Sequence, residues 1–169
     1  MRPEERELAH VPRWCIVRTI KQQSVAEHAF YVARYAIDIS KVMGWPVRTN
    51  LIEYCLKHDD AELHSGDIPA PFKQVIKMPH DPFPQRFQLT RDEEVIAKMA
   101  DILEAILFLI DEQLLGNKGV ALVIAELRDE LDKWSAPYVT DQEGPLGYGL
   151  TYWLNLQIDA HSSYRGRIR

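Results

Sequence analysis

Cysteine is scarce, with only Cys15 and Cys55 in 169 residues. They are far apart, form no CxxC and have no further partner, which rules out a disulfide framework and a thiolate zinc site and suits a reducing compartment. Basic charge is also short: 20 Lys and Arg against 25 Asp and Glu give a net charge of −5. A surface that grips a nucleic-acid polymer through bulk phosphate attraction is therefore not expected, and any phosphate ligand must be met locally. No apolar run approaches the ~20 residues of a membrane span, and Met1-Arg-Pro-Glu-Glu-Arg-Glu7 lacks the apolar stretch of a signal peptide. We expect no membrane association and a cytoplasmic location. Strand-like alternation, internal repeats and low-complexity tracts are missing too.

What remains is helical. An apolar share of 46% and a charged share of 27% are those of a globular protein, and the length suits one domain over residues 1–169. Ser24-Val-Ala-Glu27 is a capping-box pattern that predicts a helix from Val25, with Ala29, Val32, Ala33 and Ala36 on one face and a stop near Met43 before Gly44 and Pro46. Asn50 predicts a weaker cap for a second helix carrying Leu51, Cys55 and Leu56 inward and running to Gly66, with His58, Asp59 and Glu62 in its last turns. Prolines at 69, 71, 79, 82 and 84 argue for an extended loop from Asp67 to Leu89, with one helical turn around Lys73. Thr90-Arg-Asp-Glu93 opens the longest predicted helix, Arg91 to Leu115; others are predicted over Lys118–Trp134 and from Tyr148 to about His161. The fold class expected is all-α, a compact single-domain helical bundle.

The strongest chemical signal is the adjacent pair His58-Asp59, with His28 on a preceding helix and Asp101 on a following one. Imidazole nitrogens and carboxylate oxygens together suit one divalent transition ion (Co, Mn, Zn, Ni or Fe) better than Ca or Mg, which favour oxygen alone. Four such ligands leave two octahedral positions, one for a water and one for a phosphate oxygen. The plain alternative is that a His-Asp pair arises by chance and that a lone helical His is a surface or core residue.

The order His28, His58-Asp59, Asp101 resembles the H…HD…D signature of the HD-domain phosphohydrolase superfamily. Arg13-Trp14, Ser24-Val-Ala-Glu27-His28, His58-Asp59-Asp60-Ala61-Glu62, Ser65-Gly66-Asp67-Ile68-Pro69-Ala70-Pro71 and Lys98-Met-Ala-Asp101 further resemble its deoxynucleotide-hydrolysing branch, which includes bacterial 5′-deoxynucleotidases and phage dATP triphosphohydrolases. The resemblance runs from about Arg13 to Asp101. It implies a helical bundle around a metal held by His28, His58, Asp59 and Asp101, with Glu62 as acid/base and Asp67 touching either the catalytic water or the sugar hydroxyl.

Around these, the resemblance places the substrate against Arg13, Trp14, Ile16, Lys73 and Lys98. An Arg fork suits bidentate phosphate binding, and a Trp can wall off the 2′ carbon of a deoxyribose. Ile16 would line the base pocket, and the two lysines would meet phosphate. Taken singly, each has an ordinary alternative: core for Trp14 and Ile16, solvated surface for Glu62 and the lysines, a turn cap before Pro69 for Asp67.

The implied reaction cuts the bond between the 5′ oxygen and the α-phosphorus of a 2′-deoxynucleotide. The short chain, with Lys73, Lys77 and Lys98 near the site, favours dATP, giving deoxyadenosine and triphosphate. A 5′-deoxynucleotidase acting on monophosphates is the alternative, a phosphodiesterase acting on cyclic or signalling nucleotides fits the fold, and a non-catalytic nucleotide-sensing module is a reading of another class. The resemblance also implies a homo-oligomer, a dimer or larger ring, with the helix around Tyr152, Trp153 and Leu154 as a candidate interface. A phage-encoded chain would work in its host's cytoplasm.

Overall fold

The longest apolar periodicity in the chain becomes the axis of the molecule. The computed structural model describes residues 3–69, 72, 87–138 and 149–165, and among these there are helices and no strand. In chain order the α-helices are α1 (Val25–Val42), α2 (Thr49–Lys57), α3 (Glu62–Ser65), α4 (Arg91–Leu114), α5 (Ala121–Ser135) and α6 (Leu150–Arg165). A 3-10 segment, Pro3–His10, precedes them, and short 3-10 turns, Lys118–Val120 and Ala136–Tyr138, flank α5.

Helix α4 is 24 residues long, about 36 Å at 1.5 Å per residue. Thr90 accepts from the Glu93 amide while the Glu93 carboxylate reaches back to Thr90, so its capping box is complete. Buried residues occur on nearly every side of it: Val95, Ile96, Met99, Ile102, Leu103, Ile106, Leu109 and Ile110. Helices α1, α2, α5 and α6 all pack on it. Each large aliphatic side chain buried this way contributes about 1.5–3 kcal/mol, so α4 anchors the bundle.

Helix α1 starts at Val25 as predicted, with Ser24 Oγ accepting from the Glu27 amide at 3.1 Å. Only that half of the box forms, because the Glu27 carboxylate pairs with Lys21 Nζ at 3.2 Å instead. Its buried stripe runs Val25, His28, Ala29, Val32, Ala33, Ala36, Ile39. His28 is therefore carried on the core face.

The second helix departs from expectation at both ends. It begins at Thr49 behind Arg48, which makes no side-chain cap; Asn50 instead donates to the Gln88 carbonyl at 3.0 Å. It stops at Lys57 rather than Gly66. Residues 58–61 form a tight turn with three-residue hydrogen bonds, Asp60 N to Lys57 O and Glu62 N to Asp59 O, and α3 restarts at Glu62. The His58 ring competes for the Cys55 carbonyl that the Asp59 amide would use in a continuing α-helix. Glu62 is thus the first residue of a new helix rather than part of a continuous α2. Gly66 at φ 71° then reverses the chain into Asp67.

In α6, Trp153 and Leu154 are buried in the core, which removes them from a candidate interface and leaves Tyr152 outward at 61% exposure. The helical turn expected around Lys73, and Lys73 and Lys77 themselves, lie outside the described residues.

Candidate active site

Three elements deliver the donors: α1 brings His28, the turn after α2 brings His58 and Asp59, and α4 brings Asp101. One donor atom each from His28, His58 and Asp101 lies within 4.8 Å of the others. His28 Nε2 stands 3.2 Å from Asp101 Oδ1 and 3.8 Å from Asp59 Oδ2, and His58 Nε2 is 3.3 Å from Asp59 Oδ2. Asp59 Oδ2 lies near both rings but falls outside that group of three.

Both rings are oriented from behind. His28 Nδ1 meets Glu104 Oε2 at 2.5 Å, and His58 Nδ1 meets the Cys55 carbonyl at 2.9 Å. A carboxylate and a carbonyl can only accept, so each Nδ1 carries the proton and each Nε2 faces the cluster. Histidines that bind metal are held in just this way.

The electrostatics also favour a cation. Burial and the Arg13 guanidinium oppose charge on His28, yet Asp101 and Glu104 outweigh them and hold the ring at about 9. Burial alone would raise Asp101, but His28, His58 and Lys98 keep it well below the usual carboxylate range. His28 Nε2 is fully buried and has no hydrogen-bond partner of good geometry. The His28 and His58 imidazoles and the Asp101 carboxylate, with Asp59 beside them, fit a divalent transition ion, which would displace the proton.

The other expected residues are held in different ways. Glu62 is buried at 4% exposure at the start of α3. Asp67 is tied to the segment after Trp14, accepting from the Cys15 amide at 3.4 Å through its side chain and from Cys15 Sγ at 3.2 Å through its carbonyl. Lys98 lies between Asp101 (3.6 Å) and Glu130 (3.2 Å). Arg13 points into the structure, pairing with Glu104 at 3.2 Å. Trp14, at φ 66°, stacks on Phe108 with ring centroids 5.7 Å apart and donates to Gln23 at 3.0 Å. A bulky residue at positive φ is strained, and such positions cluster at binding sites. Ile16 is 64% exposed.

A cleft of about 100 Å³ opens beside His58 and Asp101, lined also by Tyr54, Glu94 and Lys98. A larger one, about 260 Å³ between Arg91 and Trp134, holds none of the expected site residues. Tyr54, Gln23 and Glu104 were not singled out by the sequence. Glu104 did carry a signal, as a lone carboxylate in the apolar run Ile102-Leu103-Glu104-Ala105-Ile106.

A family model described as HD domain matches residues 6–116, from the first 3-10 segment through α4. The chain belongs to the HD domain family. Within it, a dATP triphosphohydrolase of cyanophage S-2L is 39% identical over 67 residues, 38% of this chain and 38% of that relative. A 5′-deoxynucleotidase of Photobacterium profundum is 26% identical over 158 residues, covering 75% of this chain and 81% of the relative. The solved structure of the cyanophage S-2L HD phosphohydrolase, bound to dA and one catalytic Zn2+ ion, superposes with a TM-score of 0.74 at 25% identity and covers 95% of each chain. The all-α HD bundle and membership among HD phosphohydrolases are as the sequence led us to expect.

Proposed function

We propose that this HD protein hydrolyses the 5′-phosphoester bond of 2′-deoxynucleotides, with dATP as the favoured substrate and deoxyadenosine and triphosphate as products. The observation that carries the reading is the convergence of His28, His58 and Asp101 donors within 4.8 Å in a chain that shares its fold with a phosphohydrolase bound to dA and catalytic zinc. His28, His58, Asp59 and Asp101 would hold the ion, which when bound acidifies water and polarises a phosphate oxygen. Glu62 moves the proton, from the attacking water or to the leaving 5′ oxygen, from a buried position that keeps it out of bulk exchange. Asp67 orients the water or the sugar hydroxyl. Lys98, which lines the cleft, meets phosphate, with Lys73 and Arg13 as the other basic residues proposed for the substrate. Trp14 excludes a 2′ hydroxyl and Ile16 faces the base.

The similarity to 5′-deoxynucleotidases over 75% of this chain keeps deoxynucleoside monophosphates as the second reading. We also propose that the chain works as a soluble cytoplasmic homo-oligomer, a dimer or larger ring, binding neither membrane nor nucleic-acid polymer. Among the described residues no helix is long and apolar enough to cross a membrane. Exposed Phe30 and Tyr31 on α1 and Tyr152 and Leu156 on α6 support association. The test is chromatography of the products formed from dATP, dAMP, dGTP and ATP by the metal-loaded protein. Deoxyadenosine with intact triphosphate supports the first reading, and deoxyadenosine from dAMP alone the second. No nucleoside from any of them contradicts both.

A further inference from the structure

Glu104 has no part in the reaction just described, yet it is buried at 4% exposure and several polar groups converge on it. Gln23 Nε2 donates to its Oε1 at 2.6 Å, while Arg13 Nη1 at 3.2 Å and His28 Nδ1 share its Oε2. A carboxylate out of water is tolerated only with such company. The company is not arbitrary. Because an ionised carboxylate accepts only, His28 must present Nδ1–H to it and Gln23 must present its amide NH2. Gln23 Oε1 is then left facing Trp14 Nε1, an obligate donor, at 3.0 Å. One donor-acceptor assignment satisfies the whole chain from the indole to the His28 ring. It leaves His28 Nε2 as the ring atom turned toward Asp59 and Asp101, where a metal would take the place of its proton.

We propose that Glu104 is the positioning residue of this centre: it orients His28 toward the metal and, through Gln23, sets the Trp14 indole against the sugar. Metal affinity and the preference for deoxyribose thereby depend on one carboxylate. The proposal rests on the metal-site reading above. Glu104→Gln would insert a donor where three donors already point, so the chain can no longer be satisfied.

The test uses Co2+ as the probe, titrated into the metal-stripped full chain against a competing chelator, with the visible spectrum recorded. Glu104→Gln should lose roughly ten- to a hundredfold in Co2+ affinity, the usual cost of removing a partner behind a metal-binding His, and its absorption band should change. Glu104→Asp, which keeps the charge, should recover part of both. Gln23→Met should leave Co2+ affinity nearly intact but narrow the ratio of KM for ribonucleotide over deoxyribonucleotide. A purely structural carboxylate would lower the melting temperature of Glu104→Gln while leaving Co2+ affinity and spectrum as in the wild type, and that result overturns the proposal. Should Glu104→Gln not fold, an unchanged KM ratio in Gln23→Met overturns it instead. Wild-type protein that binds no Co2+ would overturn the metal site and this inference together; wild-type binding matched by Glu104→Gln overturns this inference alone.

Discussion

His58 donates its Nδ1 proton to the Cys55 carbonyl at 2.9 Å, and the same ring sets Nε2 3.3 Å from Asp59 Oδ2. One side chain thus competes for the acceptor that would continue α2 and presents a donor to the metal cluster. The break it creates lets α3 begin at Glu62, whose side chain is buried.

From this placement, Glu62→Ala should keep metal and nucleotide binding and lose ~10²-fold or more in turnover, the scale of a positioned acid/base group. Single-turnover kinetics alongside metal analysis separate the two. Normal turnover would pass the role to Asp67.

Trp14 is held in a strained conformation by Gln23 and the Phe108 ring. Trp14→Ala should raise ribonucleotide hydrolysis relative to deoxyribonucleotide hydrolysis, since a steric wall vanishes with its side chain. Competition of dATP with ATP in one reaction reads the ratio directly. An unchanged ratio would leave Trp14 as a packing residue for Phe108.

Lys98, between Asp101 and Glu130, is the described cation nearest the cleft mouth. If it follows the β- and γ-phosphates, Lys98→Ala should cost dATP roughly tenfold or more in kcat/KM, as expected for one charge-assisted contact of about 1.5–3 kcal/mol. The loss on dAMP should be smaller, and Lys73→Ala should behave alike. Equal losses on both substrates would favour the monophosphate reading.

Glu112 clamps the segment that follows Trp14, at Ile20 and Lys21. Its buried carboxylate accepts from the Ile20 and Lys21 amides and from Asn117. Burial works against the charge, but these bonds prevail and hold the group below its ordinary 4.5. A depressed folded value means that the stabilisation is complete above 4.5 and is lost as pH falls through the folded pKa. Glu112→Gln should therefore be destabilised by roughly 1–3 kcal/mol at pH 7, with the gap from wild type closing toward pH 3. Denaturant melts at the two pH values measure it, and a gap independent of pH would deny the carboxylate this role.

The parts of the fold that could be read in advance are those written in periodic patterns. The caps at Ser24 and Thr90 and the stripes of α1 and α4 place His28 and Asp101 on core-facing helices, and the HD pair is visible as a dipeptide. The break at His58 was not legible, because the apolar spacing of α2 runs up to it unchanged and a side-chain bond to a backbone carbonyl has no sequence period. Gln23 and Glu104 were missed for a related reason. Their meaning lies in partners 81 and 76 residues away, which only the packing of α1 on α4 brings together.

Central to the proposed function, His28, His58, Asp59 and Asp101 would hold a metal ion that supplies the acidified water needed to cleave the deoxynucleotide. The most direct test follows deoxyadenosine release from dATP by metal-stripped protein, before and after stepwise return of Co2+ or Zn2+, in the wild type and in Asp59→Ala. The account predicts no release without metal, recovery that saturates near one ion per chain, and none in Asp59→Ala even though its circular dichroism stays helical. Full activity in excess chelator, with elemental analysis finding no bound metal, would contradict it.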